Sequence, residues 1–137
     1  SQARELAEED ALWKRQGGEH AMKGLLRELL ERIPEALGAA VVGLDGIAVE
    51  KASAQPSFNI DLASAEVIAL ARRAQPSRDN SADRLEEISV TCRSGLTILR
   101  SIGGDYYLCL VVGPECIPGR ARFEAWKAGR QLEHVVA

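Results

Sequence analysis

The chain has few of the residues that usually carry chemistry. It contains two histidines, His20 and His134, and neither stands near a cysteine or carboxylate at a metal-ligand spacing. Its three cysteines, Cys92, Cys109 and Cys116, cannot all pair within one chain, and no C-x-x-C spacing occurs, which excludes a zinc knuckle and a dithiol redox motif. They read as reduced, mostly buried thiols. There is no G-x-S-x-G elbow and no cysteine in a nucleophile context, so nucleophilic catalysis has no candidate, and no cofactor, metal or enzymatic activity is expected. No apolar run approaches the roughly 20 residues that cross a bilayer, and no charged n-region followed by an apolar h-region opens the chain. A cytoplasmic protein without membrane insertion is expected. Positive charge is also scarce: 17 Lys and Arg against 20 Asp and Glu leave a formal charge of −3, which gives no field to attract a phosphate backbone. A nucleic-acid partner is not expected.

What is present is ordinary globular material. Apolar residues make up 46% of the 137 and charged residues 27%, enough for one domain with one core. Residues 1–21 are polar and charged and precede Met22, the only methionine. They read either as an N-terminal arm, with Leu6 and Trp13 on one stripe of a short helix, or as a remnant ahead of a natural start, with residues 22–137 forming the folded domain.

From Met22 the apolar residues Leu25, Leu26, Leu29, Leu30, Ile33 and Leu37 repeat at helical spacing, with Arg27, Glu28, Glu31 and Arg32 opposite. Residues 39–44 form a continuous apolar run that predicts a buried strand. Asp45-Gly46 is the type I′ dipeptide, and its positive φ values suit a two-residue hairpin that returns through Ile47 to Ser53. A loop over 54–59 leads to Asp61, whose side chain can cap a second helix over about 61–75. Pro76, Ser77, Asp79, Asn80 and Ser81 then make a polar connection. After Leu85 the period becomes two: Ile88, Val90 and Cys92 share one side, and Ser89, Thr91 and Arg93 the other. Turns at Ser94-Gly95 and Gly103-Gly104-Asp105 complete a meander through Leu96–Ile102 and the nearly all-apolar Tyr106–Val112. A last helix follows from about Ala121, with Ala121, Ala125, Ala128, Leu132 and Val135 as its core stripe. The order αββαβββα predicts a three-layer α/β sandwich, with strands 39–44 and 106–112 central and strand 86–93 nearer an edge.

Two features invite a sharper reading. Residues Gly113 to Arg120 faintly resemble a phosphate loop, but the segment is one residue too long, ends in Arg and carries two prolines, so it reads as a loop that launches a helix. Arg120, Arg122, Lys127 and Arg130 give the last helix a basic side with Phe123 and Trp126 near it. The expectation is a solvated charged face with the aromatics buried.

The second helix is the unusual one. On a wheel of about 100° per residue, Ala63, Val67, Ile68, Leu70, Ala71 and Ala74 spread over roughly 160°, wider than a single sheet needs. Half of these are alanines, which let another helix approach closely, and the strand with one polar face follows. A second copy of the chain is therefore expected against this helix, with the strand at 86–93 pairing edge to edge.

The helix Gly24 to Leu37, the strand-turn-strand Gly38 to Val49, the Ala-rich helix after Asp61 and the Gly103-Gly104-Asp105 hairpin into Tyr106 to Val112 together resemble the roadblock/dynein light chain family, including bacterial MglB-like proteins. The likeness covers residues 23–136. It implies a profilin-like or roadblock architecture: a five-stranded antiparallel sheet with one helix on one face and two on the other. It further implies a homodimer joined through the second helix and third strand, and a Ras-like small GTPase as partner, bound or stimulated without an arginine finger. Carried onto this chain, the dimer contact falls on Ala63, Val67, Leu70, Ala71, Ala74, Ile88 and Val90, and the partner contact on Glu66, Arg72 and Arg73. The alternatives are a scaffold subunit of a motor or signalling complex and a small-molecule sensor with an internal cavity.

Overall fold

The computed structural model describes residues 1–74 and 83–136, with the side chains of 6–17 and 19 excepted. The chain runs α1 (Gln2–Arg32), β1 (Ala36–Gly43), β2 (Ala48–Ser53), α2 (Ile60–Ala74), β3 (Glu87–Cys92), β4 (Gly95–Ser101), β5 (Tyr106–Val112) and α3 (Pro118–Val136). The five strands form one antiparallel sheet in the order β2-β1-β5-β4-β3. The apolar strands β1 and β5 lie inside and the half-polar β3 lies at an edge, as their composition dictates. The connection 76–81 and the proposed Leu6/Trp13 stripe lie outside the described residues and side chains.

Several boundaries move, each for a local reason. α1 is one helix from Gln2 and stops at Arg32 rather than Leu37. Pro34 forces the residue before it out of the helical region, and Ile33 is accordingly extended at φ −120°, ψ 103°. The freed residues join β1, which begins at Ala36. α2 is capped by Asn59, not Asp61: the Asn59 Oδ1 accepts from the Leu62 N–H at 3.0 Å, while Asp61 sits in the first turn and pairs with Lys51. α3 begins at Pro118 rather than Ala121, because proline is preset for the first helical position and needs no donor there.

Two hairpins also differ from expectation. At Asp45-Gly46 only the glycine has positive φ, 87°, so the turn is not type I′. The Gly46 N–H donates to the Gly43 carbonyl at 2.9 Å and the Gly43 N–H to the Ile47 carbonyl at 3.1 Å, the pattern of a three-residue loop closed by a glycine bulge. The β3–β4 turn is Arg93-Ser94, one residue earlier than expected. Gly95 opens β4 at φ 147°, where an added Cβ would lie 2.1 Å from the Val112 carbonyl oxygen.

The sheet separates two apolar clusters. Leu26 and Leu29 of α1, Ile33 just past its end, and Ala121, Ala125, Ala128 and Leu132 of α3 pack on Val41, Ile98, Leu108 and Leu110. The Val135 end of the α3 stripe is only half-buried. On the other face α2 alone contributes Ile60, Val67, Ile68 and Ala71, against Val42, Leu99, Cys109 and Val111. This is a three-layer αββαβββα sandwich with two helices on one face and one on the other.

Candidate functional site

Five strands at about 4.8 Å spacing span some 20 Å or more, whereas a helix with its side chains is about 10 Å wide. Two helices close a face of that width; one helix leaves part of it open. α2 makes its contacts with β1, β2, β4 and β5, so the uncovered part lies over β3 and the outer side of β4. A groove of about 430 Å³ runs there, bounded on the helix side by Ala63, Glu66, Val67 and Leu70 and on the sheet side by Val90, Cys92, Thr97 and Val111. Phe58 and Leu37 close one end.

The groove meets a sheet edge with unused backbone groups. The Ser101 N–H donates to the Glu86 carbonyl at 2.8 Å, and the β3–β4 register then runs without a shift from Glu87↔Arg100 to Cys92↔Gly95. Antiparallel pairs alternate, so residues 88, 90 and 92 bond to β4 while residues 87, 89 and 91 turn N–H and C=O outward. Among the described residues no strand takes up those groups. Glu87 anchors this edge strand. Its side chain, 15% exposed, accepts from Arg100 of β4 at 3.3 Å and from Arg122 of α3 at 2.9 Å.

The sequence-derived contact residues divide into two sets. Val67 and Ala71 lie inside the subunit; Ala71 is 0% exposed. Ala63, Ile88 and Val90 are half-buried on the groove side, and Leu70, 44% exposed, and Ala74 look outward. The structure thus brings Ala63, Val67, Leu70 and Val90 together around one groove. Glu66 and Arg73 are exposed on α2. Arg72 leaves that surface: its Nε donates to the Leu44 carbonyl at 2.6 Å and ties the end of α2 to the β1–β2 turn. Sequence reading missed Leu62, an exposed leucine on the outer side of α2, and Phe58 and Leu37 at the groove end. Leu62 falls off the apolar arc of the wheel, and a loop phenylalanine has no periodicity to reveal it.

Elsewhere the chemistry is quiet. Cys109 is buried under α2, and burial pushes its thiol up to about 12; Cys116 is raised by burial first and then by Glu35, so both favour the unreactive protonated form. Cys92 is exposed at the end of β3. Among the described residues no group of His, Cys, Asp or Glu could hold a metal ion, and no helix is long and apolar enough to cross a membrane. One expectation about α3 is corrected: Phe123 and Trp126 are exposed, not buried, because the helix fills its contact with the sheet using three alanines and a leucine.

No protein-family model and no curated protein matches the chain. Solved structures do. An MglB with a tetrameric arrangement superposes with a TM-score of 0.75 at 17% identity, covering 86% of this chain and 89% of the other. A roadblock/LC7 domain from Streptomyces avermitilis gives 0.70 at 17% identity over 83% and 96%. MglC from Myxococcus xanthus gives 0.63 at 24% identity over 83% and 98%. The profilin-like side of the architecture is present too: the profilin of a complex titled LokiProfilin2/Rabbit Actin gives 0.57 at 17% identity over 81% and 94%. By fold, the chain is roadblock/MglB-like.

Proposed function

We propose that the chain is a non-enzymatic interaction module that pairs with a second copy of itself and, as a homodimer, binds and regulates a Ras-like small GTPase. The observation that carries this reading is the open α2/β3 side, an apolar groove lying beside an edge strand whose outward backbone groups have no partner among the described residues. A second β3 running antiparallel would take up those groups, and a second α2 would cover Leu70, Ala63 and Ala74. Val67 and Ala71 support that contact from beneath, and Ile88 and Val90 form its floor. The resemblance in architecture to an MglB found in a tetrameric arrangement supports self-association without fixing its geometry.

Glu66 and Arg73, exposed on α2 next to the contact, are the charges offered to the GTPase, and Arg72 positions the β1–β2 turn beside them. The GTPase would bring its own phosphate loop, Mg²⁺ and attacking water, while the dimer biases its switch segments. The test is elution and single-turnover hydrolysis with a Ras-like GTPase from the same source. A complex that prefers the GTP-loaded form, with an altered hydrolysis rate, supports the reading, and the Glu66→Lys/Arg73→Glu variant should lose both. A stable complex indifferent to nucleotide would contradict it and point to a scaffold subunit.

A further inference from the structure

The outward side of α3 is a second surface that folding alone does not explain. α3 gives Ala121, Ala125, Ala128 and Leu132 to the core, and its opposite side carries Phe123, Trp126, Lys127 and Arg130 at spacings of three, four and seven. Phe123 is 56% and Trp126 45% exposed, their ring centroids lie 6.3 Å apart, and the Arg130 guanidinium stands 5.9 Å from the Trp126 ring. The core stripe is complete without these rings, so their exposure brings no gain in packing.

The charge on this side is of one sign. Every exposed residue of α3 is neutral or basic, although the whole chain carries an excess of acid. The helix's two carboxylates, Glu124 and Glu133, are half-buried, and Glu124 lies 4.0 Å from Arg32. Arg122 shares Glu87 with Arg100. Arg120 donates to the Arg32 carbonyl at 2.7 Å, a neutral acceptor.

We propose that this side of α3 docks on an anionic phospholipid surface. The rings of Phe123 and Trp126 would rest at headgroup level, where amphipathic aromatics are favoured, and Lys127, Arg130 and Arg120 would meet lipid phosphates. The shape fits a plane: α3 is about 28 Å long and lies along the sheet, and the docking residues from Arg120 to Arg130 cover about 15 Å of it. An extended acidic peptide would call for a groove; among the described residues the two larger grooves lie beside α2 and between α1 and β2, and a smaller one at the end of α3 is lined by Glu133 and by none of these cations. One consequence rests on the β3-paired dimer proposed above. A twofold axis normal to the sheet keeps both α3 helices on the same side, and α3 packs over β4 and β5, the half of the sheet beside the β3 edge, so the two stripes would flank the axis and act together. The docking face of one copy does not depend on that pairing.

The experiment uses the full chain carrying Trp13→Phe, which leaves Trp126 as the only tryptophan. Flotation is measured with vesicles of phosphatidylglycerol and phosphatidylcholine against phosphatidylcholine alone, with Trp126 emission recorded in parallel. The expected result is flotation only with the anionic vesicles, a shift of emission to shorter wavelength, and loss of binding as salt rises from 0.1 to 1 M and the screening length falls from about 10 to about 3 Å. Lys127→Ala/Arg130→Ala should weaken binding roughly 25-fold, at about fivefold per cation. Phe123→Ala/Trp126→Ala, made in the wild-type chain, should abolish flotation with circular dichroism and solution mass unchanged. The groove variant Leu70→Glu should still float, more weakly; if it floats as well as wild type, the dimer is at fault and the lipid face stands. The proposal is overturned by equal binding to both vesicles or to neither, by a preference for polyglutamate or duplex DNA, or by a change in solution mass on removing the aromatics, which would make this face a protein contact.

Discussion

The two faces of the sheet are closed to different degrees, and the difference separates what folds the chain from what it can offer to others. On one face, α1 and α3 lay seven fully or nearly fully buried side chains across the strands, and the apolar residues at that seam are spent on the fold. On the other, α2 buries Ile60, Val67, Ile68 and Ala71 but leaves Ala63, Phe58, Ile88 and Val90 only partly covered and Leu70 turned outward. The sheet is the same width on both sides. What differs is the number of helices laid over it, so the apolar sheet surface left uncovered lies on the one-helix face.

This contrast can be broken at neighbouring positions. The largest effect is expected at Ala71→Glu, which drives a carboxylate into a site that is 0% exposed beneath α2. A loss of about 4 kcal/mol or more, or failure to fold, should appear in urea unfolding. Leu132→Ala, on the closed face, should cost about 3 kcal/mol through the cavity it leaves, read in the same way. Glu87→Gln weakens the tie of β3 to Arg100 and Arg122; hydrogen exchange along β3 should rise and stability should fall by about 1–2 kcal/mol. Asn59→Ala removes the α2 cap for about 1 kcal/mol. Leu70→Ala should change the unfolding of the single subunit by about 0.5 kcal/mol or less, as an outward side chain does, while weakening self-association.

Much of the architecture was legible because periodicity reports which side chains are apolar. The change of period after Leu85, the two nearly all-apolar strands and the stripes of α2 and α3 give the elements and their order. Periodicity does not report what covers an apolar residue. Val67 and Leu70 look alike on a wheel, yet one lies under α2 and the other at its rim, because the line where sheet coverage ends depends on the helix's position across the strands. Phe123 and Trp126 are a different case: the wheel sets them opposite the Ala121, Ala125, Ala128 and Leu132 stripe, and only the general tendency of aromatics to be buried argues for the core, which the structure overrules. Boundaries failed where one residue overrides its neighbours, as Pro34 does at Ile33, Pro118 at the start of α3 and Asn59 in place of Asp61. The Asp45-Gly46 turn failed because a dipeptide names a turn family but loop length decides its member.

The central claim is that a second copy closes the α2/β3 side, and sedimentation equilibrium of wild type beside Leu70→Glu tests it most directly. A mass of two 14.8 kDa chains for wild type, and of one chain for the variant with its circular dichroism unchanged, is the predicted result. A wild type that stays a single chain at tens of micromolar, or a variant that remains paired, would contradict it.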